Sequence, residues 1–500
     1  MQPLRRMWYN TTIKMKTILI IAMLLAGSVH AGLAATRPNV LLILTDDLGY
    51  GDLGATWQNA RAEGLPRIKT PNIDRLAARG VTLSNHYCAA PVCAPSRASI
   101  LTGRVQGECS LRDNCFDQPL AEKETIGTVM HDAGYATWAV GKWGVAGGGE
   151  SGRPVTSHPL DRGFDYFYGF LDHMAGHTYY HYEGQIRGAF MGITENRTNA
   201  TDSAKGIYST DLFAAKTKQL ISDHMARSPE KPFFLYLAMN TVHGSAKSDD
   251  TLQNKSPIHV PGRPYPEEGV SWPLAPEPLE ARNTWIDPKY ADLPPVAARY
   301  ATSITRLDDA IGDIMRHLEK YGIDRDTLII FTSDNGPANE YGVDPRTFSS
   351  AGPFDGMKRD VFEGGMRVPA LVSWPAAIEP GTVDATPSQS HAWKNLLAAA
   401  AEGRYEPMNS LVYTQYEFPW DGDTEAFREF KARKGEVRGL QQMVREGDYV
   451  ALRVRMREGN AKVRLFNVAE DPFQTRDLSG EPDQQDRLHK LTTILEERLR

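Results

Sequence analysis

Apolar and polar positions fall into two regimes along the chain. Up to about Pro375, four apolar runs of strand length share one grammar. NVLLIL runs into Thr45, Asp46 and Asp47; YATWAV runs into Gly141 and Lys142; FFLYLAM leads to His243; TLIIFTS runs into Asp334, Asn335 and Gly336. None alternates cleanly and all are rich in β-branched or aromatic residues, which predicts strands covered on both faces of a parallel sheet. Between them PNIDRLAARG, TIGTVMHDAG and the apolar stripe from Tyr300 to Tyr321 read as helices, with Pro71 early in the first and Gly80 and Gly134 as stops. This alternation predicts an α/β fold with a large, mostly parallel central sheet, in which ligands bind beyond the carboxyl ends of the strands. The four polar clusters all sit at such ends, and Asp, Lys and Asn are rarely buried without partners.

From about Gly381 the pattern changes to shorter pieces, SLVYTQYEF, DYVALRVRM and KVRLFNV, and a final amphipathic helix from Asp483. A smaller C-terminal antiparallel sheet with one helix is expected there. Residues 244–295 are rich in proline and glycine and read as a long loop over the sheet edge. Residues 1–35 hold Arg5, Arg6, Lys14 and Lys16 without an acid, then the apolar run TILIIAMLLAG and small residues from Ala31 to Ala35. That is a signal-peptide pattern, and its apolar run is shorter than the roughly 20 residues of a membrane span. The expected organisation is a leader over 1–35, a catalytic domain over 36–380 and a C-terminal α+β subdomain over 381–500, in a periplasmic or secreted protein with no stable membrane span.

The net charge of −6 becomes more negative once the leader's cations are removed, and no block of Lys or Arg occurs. Nucleic acid and anionic membrane are therefore excluded as expected partners. The four cysteines are Cys88, Cys93, Cys109 and Cys115; in an oxidising compartment Cys109 and Cys115 are spaced to close a short loop. Asp46, Asp47, Asp334 and Asn335 offer only oxygen donors, which suit Ca²⁺ or Mg²⁺ better than zinc. Taken singly, DD and DNG read equally as caps of turns. Cys93 opens a short helix whose free N–H groups favour an anion, and Arg97, Lys142 and Lys358 are cations available to the same place. Three residues separate Cys93 from Arg97, where a phosphocysteine phosphatase needs five.

The stretch CAPSRASILTGR, Cys93 to Arg104, matches C-x-P-S-R-x(4)-T-G, and with TPNIDRLAARG, AGYATWAVGKWG, FTSDNGP, GMKRDVFEGGMRVP and VRLFNVAEDPFQTRDL it follows the order of the formylglycine-dependent sulfatases. The chain resembles that family from about Pro38 to Pro375. The resemblance implies an alkaline-phosphatase-like α/β sandwich and hydrolysis of sulfate monoesters, with a sulfated carbohydrate as expected substrate. It implies that a formylglycine-generating or sulfatase-maturating enzyme oxidises Cys93 to formylglycine. It further implies Ca²⁺ bound by Asp46, Asp47, Asp334 and Asn335 together with residue 93. In matching positions, Arg97 supports the formylglycine and metal, Lys142 holds the formylglycine hydrate, Lys358 grips the sulfate, and His243 lies by the leaving oxygen. A phosphonate or phosphate ester hydrolase of the same superfamily and an inactive sulfatase-like binding protein are the alternatives.

One departure stands out. Sulfatases commonly read GKWHLG, and here GKWGVAG places Gly144 at the histidine. The segment from Phe164 to Tyr182 offers His173, His177 and His181, of which His177 is the expected replacement base or sugar contact. Phe164, Tyr166 and Phe167 read as core.

Overall fold

The computed structural model describes residues 37–114, 118–148, 155–177, 179, 185–186, 189–190, 192–204, 207–243, 286–339, 344–417, 439–459 and 461–499. The leader, Cys115, His181 and residues 244–285 of the expected loop lie outside the described residues.

A ten-stranded sheet organises the chain. Its strands are β1 (Asn39–Thr45), β2 (Val81–Leu83), β3 (Ala136–Lys142), β4 (Tyr166–Phe170), β5 (Thr194–Glu195), β6 (Thr198–Asn199), β7 (Phe233–Ala238), β8 (Thr327–Ser333), β9 (Ala370–Ser373) and β10 (Thr382–Asp384). They lie in the order β10-β2-β9-β8-β1-β7-β3-β4-β5-β6. The central block β8-β1-β7-β3-β4 is parallel throughout, and β9 runs antiparallel to β8 and β2.

The lack of alternation in the apolar runs has a direct cause. Leu41, Ile43, Leu235, Leu237, Ile329 and Phe331 face one layer, built from α1 (Pro71–Ala78) and two long helices, Ser209–Arg227 and Pro295–Lys320. Val40, Leu42, Leu44, Phe234, Leu328 and Ile330 face a second layer containing α2 (Cys93–Thr102), α3 (Ile126–Asp132) and the helix Trp393–Ala401. In chain order the remaining helices of more than one turn are α4 (Ser209–Arg227), α5 (Pro295–Lys320), α6 (Trp393–Ala401) and α7 (Gln485–Glu497). Both faces of every central strand are buried, so both sets of positions are apolar. Helix α5 begins ahead of the expected Tyr300, because Pro295 occupies its first turn. Helix α3 starts where Thr125 accepts from the amides of Gly127 and Thr128.

Two elements beyond residue 381 pack with the large sheet. Strand β10 continues the large sheet beside β2, and α6 packs Leu396, Leu397 and Ala400 into the second layer. The pattern changed at Gly381 because β10 is an edge strand and α6 is amphipathic, not because the large sheet ended. The separate antiparallel sheet comprises β11 (Val412–Glu417), β12 (Leu440–Glu446), β13 (Tyr449–Arg453) and β14 (Arg464–Asn467). Helix α7 covers it with Leu491 and Leu495. Strand β12, LQQMVRE, escaped the apolar pattern because Gln441 and Gln442 are buried by hydrogen bonding. Cys88 and Cys109 are free and buried. No helix among the described residues is long and apolar enough to cross a membrane.

A short ladder, Ser388–Gln389 beside His86–Tyr87, joins α6 to the front of α2. His86 Nδ1 and Nε2 lie 2.9 Å and 3.0 Å from the hydroxyls of Ser388 and Ser390. Burial first, then His391 and Arg367, bring its pKa down to about 3. The unfolded chain therefore binds the proton more readily, and this contribution to stability is full above about pH 6.5 and is lost as the pH falls toward 3. Thermal melts at pH 7 and pH 5 are expected to differ less in His86→Gln than in the unaltered chain. An unchanged difference would remove His86 from the acid response.

Candidate active site

Four neighbouring strands end on the same spot. Strands β1 and β8 pair with Thr45 opposite Ser333, which sets Asp46 beside Asp334, and the Asp334 amide donates to Thr45 O at 3.0 Å. Asp47 turns out of the strand with a left-handed φ of 62°. Its amide donates to Asp334 Oδ1 at 3.2 Å and its Oδ1 accepts from Asn335 Nδ2 at 2.8 Å. On the other flank of β1, the chain after β7 is tied to Asp46 through Thr241 O (2.9 Å) and the Val242 amide (2.6 Å). This tie carries His243 to 3.7 Å from Asp47 Oδ2 through Nε2. Strand β3 then delivers Lys142, whose Nζ donates to Asp46 Oδ2 at 2.6 Å.

Helix α2 closes the site from one side. Cys93 is its first residue, and Sγ lies 3.3 Å from Asp46 Oδ1. Arg97 stands one turn later on the same face. Its Nε donates to Asp334 Oδ2 at 3.0 Å, a terminal nitrogen reaches Asp46 Oδ2 at 3.4 Å, and the other donates to Lys142 O at 2.9 Å. From the far side Lys358 Nζ donates to Asp47 Oδ2 at 2.8 Å. Asp46, Asp47, Cys93, Arg97, Lys142, His243, Asp334, Asn335 and Lys358 are all buried. The sequence-predicted residues thus meet around one point, with His177 set slightly apart.

Electrostatics keep this cluster poised. Burial works against ionisation of Asp46, but Lys142, His243, Arg97 and Lys358 together hold its carboxyl well below the usual range. Burial and then repulsion from Asp46 push Asp334 up. Three carboxylates face three cations. The ligand atoms of Asp46, Asp47, Cys93 and His243 lie within 4.8 Å of one another and could hold a metal ion, and the carboxylate oxygens among them suit a hard divalent cation. Asn335 Oδ1 is buried and accepts no hydrogen bond among the described residues. A buried acceptor in that state costs about 1–3 kcal/mol, which a cation would offset.

The imidazoles form a row. His177 stacks on His243, with ring centres 4.0 Å apart and planes 9° apart, and His173 meets His177 edge-on at 5.0 Å. Gly144 has φ of 74°, and a Cβ there would lie 3.4 Å from His173 Nδ1 and 3.6 Å from Lys142 Cε. The ring beside Gly144 therefore belongs to His173 and not to His177. Burial and then Lys142 hold the His173 pKa well below its ordinary value; burial and then Lys358 bring His243 down to about 4. Sequence reasoning passed over His173 because nothing near the GKWG motif points to it. Its cue is register: the pairing of β3 with β4 continues through Trp143 to Phe170 O (2.9 Å) and Gly144 to Leu171 O (3.3 Å), two residues short of His173. Phe164 and Phe167 are core, as expected.

The sulfatase family profile matches residues 38–401, most of the chain. This protein belongs to the sulfatase family. Among curated sulfatases, mouse arylsulfatase J is 31% identical over 387 residues, covering 75% of this chain and 55% of the relative. Rat N-acetylgalactosamine-6-sulfatase is 28% identical over 394 residues, covering 75% of this chain and 64% of the relative. The match thus spans less than two thirds of either relative. The crystal structure of Ps i-CgsB has the same fold, with a TM-score of 0.66, 24% identity and 92% of each chain covered. The two chains thus share one fold.

Proposed function

We propose that this chain hydrolyses sulfate monoesters on a sulfated carbohydrate. The observation that carries the reading is the convergence of Arg97, Lys142 and Lys358 with buried carboxylates around Cys93 at the head of α2. Formylglycine made from Cys93 would supply, as its hydrate, two hydroxyls on one carbon, one to attack sulfur and one to drive sulfate off. Ca²⁺ held by Asp46, Asp47, Asp334, Asn335 and residue 93 would supply positive charge for the sulfate oxygens. Lys142 and Lys358 add cations for the charge that spreads over those oxygens in the transition state. His243, whose pKa of about 4 an anionic ester beside it would raise, is then the proton donor to the departing alcohol, and His177 lies flat against it. The relatives' activities, arylsulfatase and N-acetylgalactosamine-6-sulfatase, support the substrate class. Because Cys93 is buried in the folded chain, a maturating enzyme acts on it before folding, and the 1–35 pattern supports maturation and export to the periplasm or beyond.

Parallel assays of aryl sulfate, aryl phosphate and phosphonate monoesters test the reaction; fastest turnover of a phosphorus ester would assign the protein to that branch of the superfamily. A screen of galactose and N-acetylhexosamines sulfated at different positions tests the substrate.

The base that the family places at position 144 is assigned to His173 on its position beside Gly144 and Lys142. His173→Ala is expected to slow sulfate release by roughly 10²–10⁴-fold while alcohol release in the first turnover stays fast, giving a burst of alcohol. His177→Ala is expected to slow alcohol release instead. Bursts in the second variant and not the first would return the role to His177.

A further inference from the structure

The loop that presents Lys358 is held from an unexpected direction. The Lys358 amide donates to Pro337 O at 3.0 Å. The next residue, Arg359, has a left-handed φ of 71°, a conformation that costs a residue with a Cβ roughly 1–2 kcal/mol. The Asp360 amide closes that turn on Met357 O at 3.0 Å, and two further bonds among the described residues tie it to its surroundings. The Arg359 amide donates to Pro91 O at 2.6 Å, two residues before Cys93. Its carbonyl accepts from Gln441 Nε2 at 3.0 Å. The other end of the same side chain, Gln441 Oε1, accepts from the Val361 amide at 3.4 Å.

Gln441 therefore clamps the exit of the turn, on either side of Asp360, with both ends of one amide, and it is fully buried on β12 of the C-terminal sheet. That sheet also packs Met443, Val450 and Phe466 against Val361 and Phe362, immediately beyond the turn. Gln474 Oε1 takes the Glu363 amide at 2.8 Å. The apolar contacts place the loop, and the Gln441 side chain adds bonds to the Arg359 carbonyl and the Val361 amide. A shift of about 1 Å in a group that meets charge in the transition state costs on the order of 10²-fold, so the turn has to be held tightly for Lys358 to be useful.

We propose that Gln441 is a positioning residue for Lys358, and that the C-terminal sheet thereby sets the cation that faces the ester's oxyanion. This rests on the reading of Lys358 as the residue that grips sulfate. The side chain of Gln441 does not meet the substrate; it acts through the backbone on either side of Asp360.

The test is a double-mutant cycle of Gln441→Met with Lys358→Met in the full-length, matured protein. It is read on aryl sulfate kcat/KM and separately on the affinity for inorganic sulfate. Gln441→Met alone is expected to lower both by about tenfold or more, while in the Lys358→Met background it is expected to have almost no further effect, since residues acting as a unit are not additive. Thermal melting of each variant checks folding, and should Gln441→Met fail to fold, Gln441→Asn, with the same amide one methylene short, carries the cycle. Additive losses in both readouts would overturn the proposal and leave Gln441 a packing residue. Sulfate binding that shows the coupling without any aryl sulfate turnover would instead overturn the sulfatase reading alone. A protein that neither binds sulfate nor cleaves the ester overturns both.

Discussion

Cys93→Ala is expected to lower sulfate ester turnover by about 10⁴-fold or more, as in other enzymes stripped of their nucleophile, and to leave the fold intact. The residue opens α2, 3.3 Å from Asp46 Oδ1 and buried. Burial and then the Asp46 charge push its thiol well above the usual range, with Lys358 and Lys142 opposing. A thiol in that state is protonated near neutral pH and is a poor nucleophile. The cations around it are thus of little use to an unmodified cysteine, and the site makes chemical sense with a different group at position 93. Removing one sulfur atom leaves the helix, its Gly103 stop and the Arg97 ion pairs in place, so melting is expected to change by only a few degrees. Mass analysis of the peptide bearing residue 93 should find the aldehyde in the active protein. Full activity in the alanine variant, or an active protein carrying only the thiol, would sink the assignment.

Removing bound divalent cation is expected to lower turnover by about 10²-fold or more and to lower the melting temperature, with Ca²⁺ restoring both. Asp46, Asp47 and Asp334 are buried against one another, and the rise of Asp334 records the cost of keeping them together. Lys142 and Lys358 are engaged by Asp46 and Asp47. A cation bound to those carboxylates would leave more of the lysines' charge for an anionic ester. Because the cation binds the folded chain and not the unfolded one, it stabilises by mass action, about 2.7 kcal/mol at a hundredfold excess over its dissociation constant. Chelation, dialysis and metal analysis precede both measurements. Unchanged turnover and melting in verified metal-free protein would return Asp46, Asp47, Asp334 and Asn335 to the role of turn caps.

Much of the site was legible in the sequence because it is made of short-range geometry. Cys93 and Arg97 are one helical turn apart, so any helix through CAPSRASILT puts them on the same face. Asp46, Lys142, His243 and Asp334 each follow an apolar run, and parallel packing of such runs gathers their carboxyl ends whatever the loops do. The buried strands were legible for the same reason, since two covered faces demand apolar residues at successive positions. Register and long-range contact were not legible. The ring beside Gly144 is His173 and not His177 because β3 and β4 continue their pairing to Leu171, a relation between strands that neither strand encodes alone. Strand β10 joins the large sheet at its edge, where a weakly apolar strand suffices, and so its place there was not legible either. The setting of Lys358 depends on Gln441, 83 positions away in the chain on a strand whose polar residues conceal its burial. Local sequence determined which groups are chemically available; the tertiary structure decided which of them meet, because hydrogen bonds between remote segments select one register from several that the apolar pattern permits.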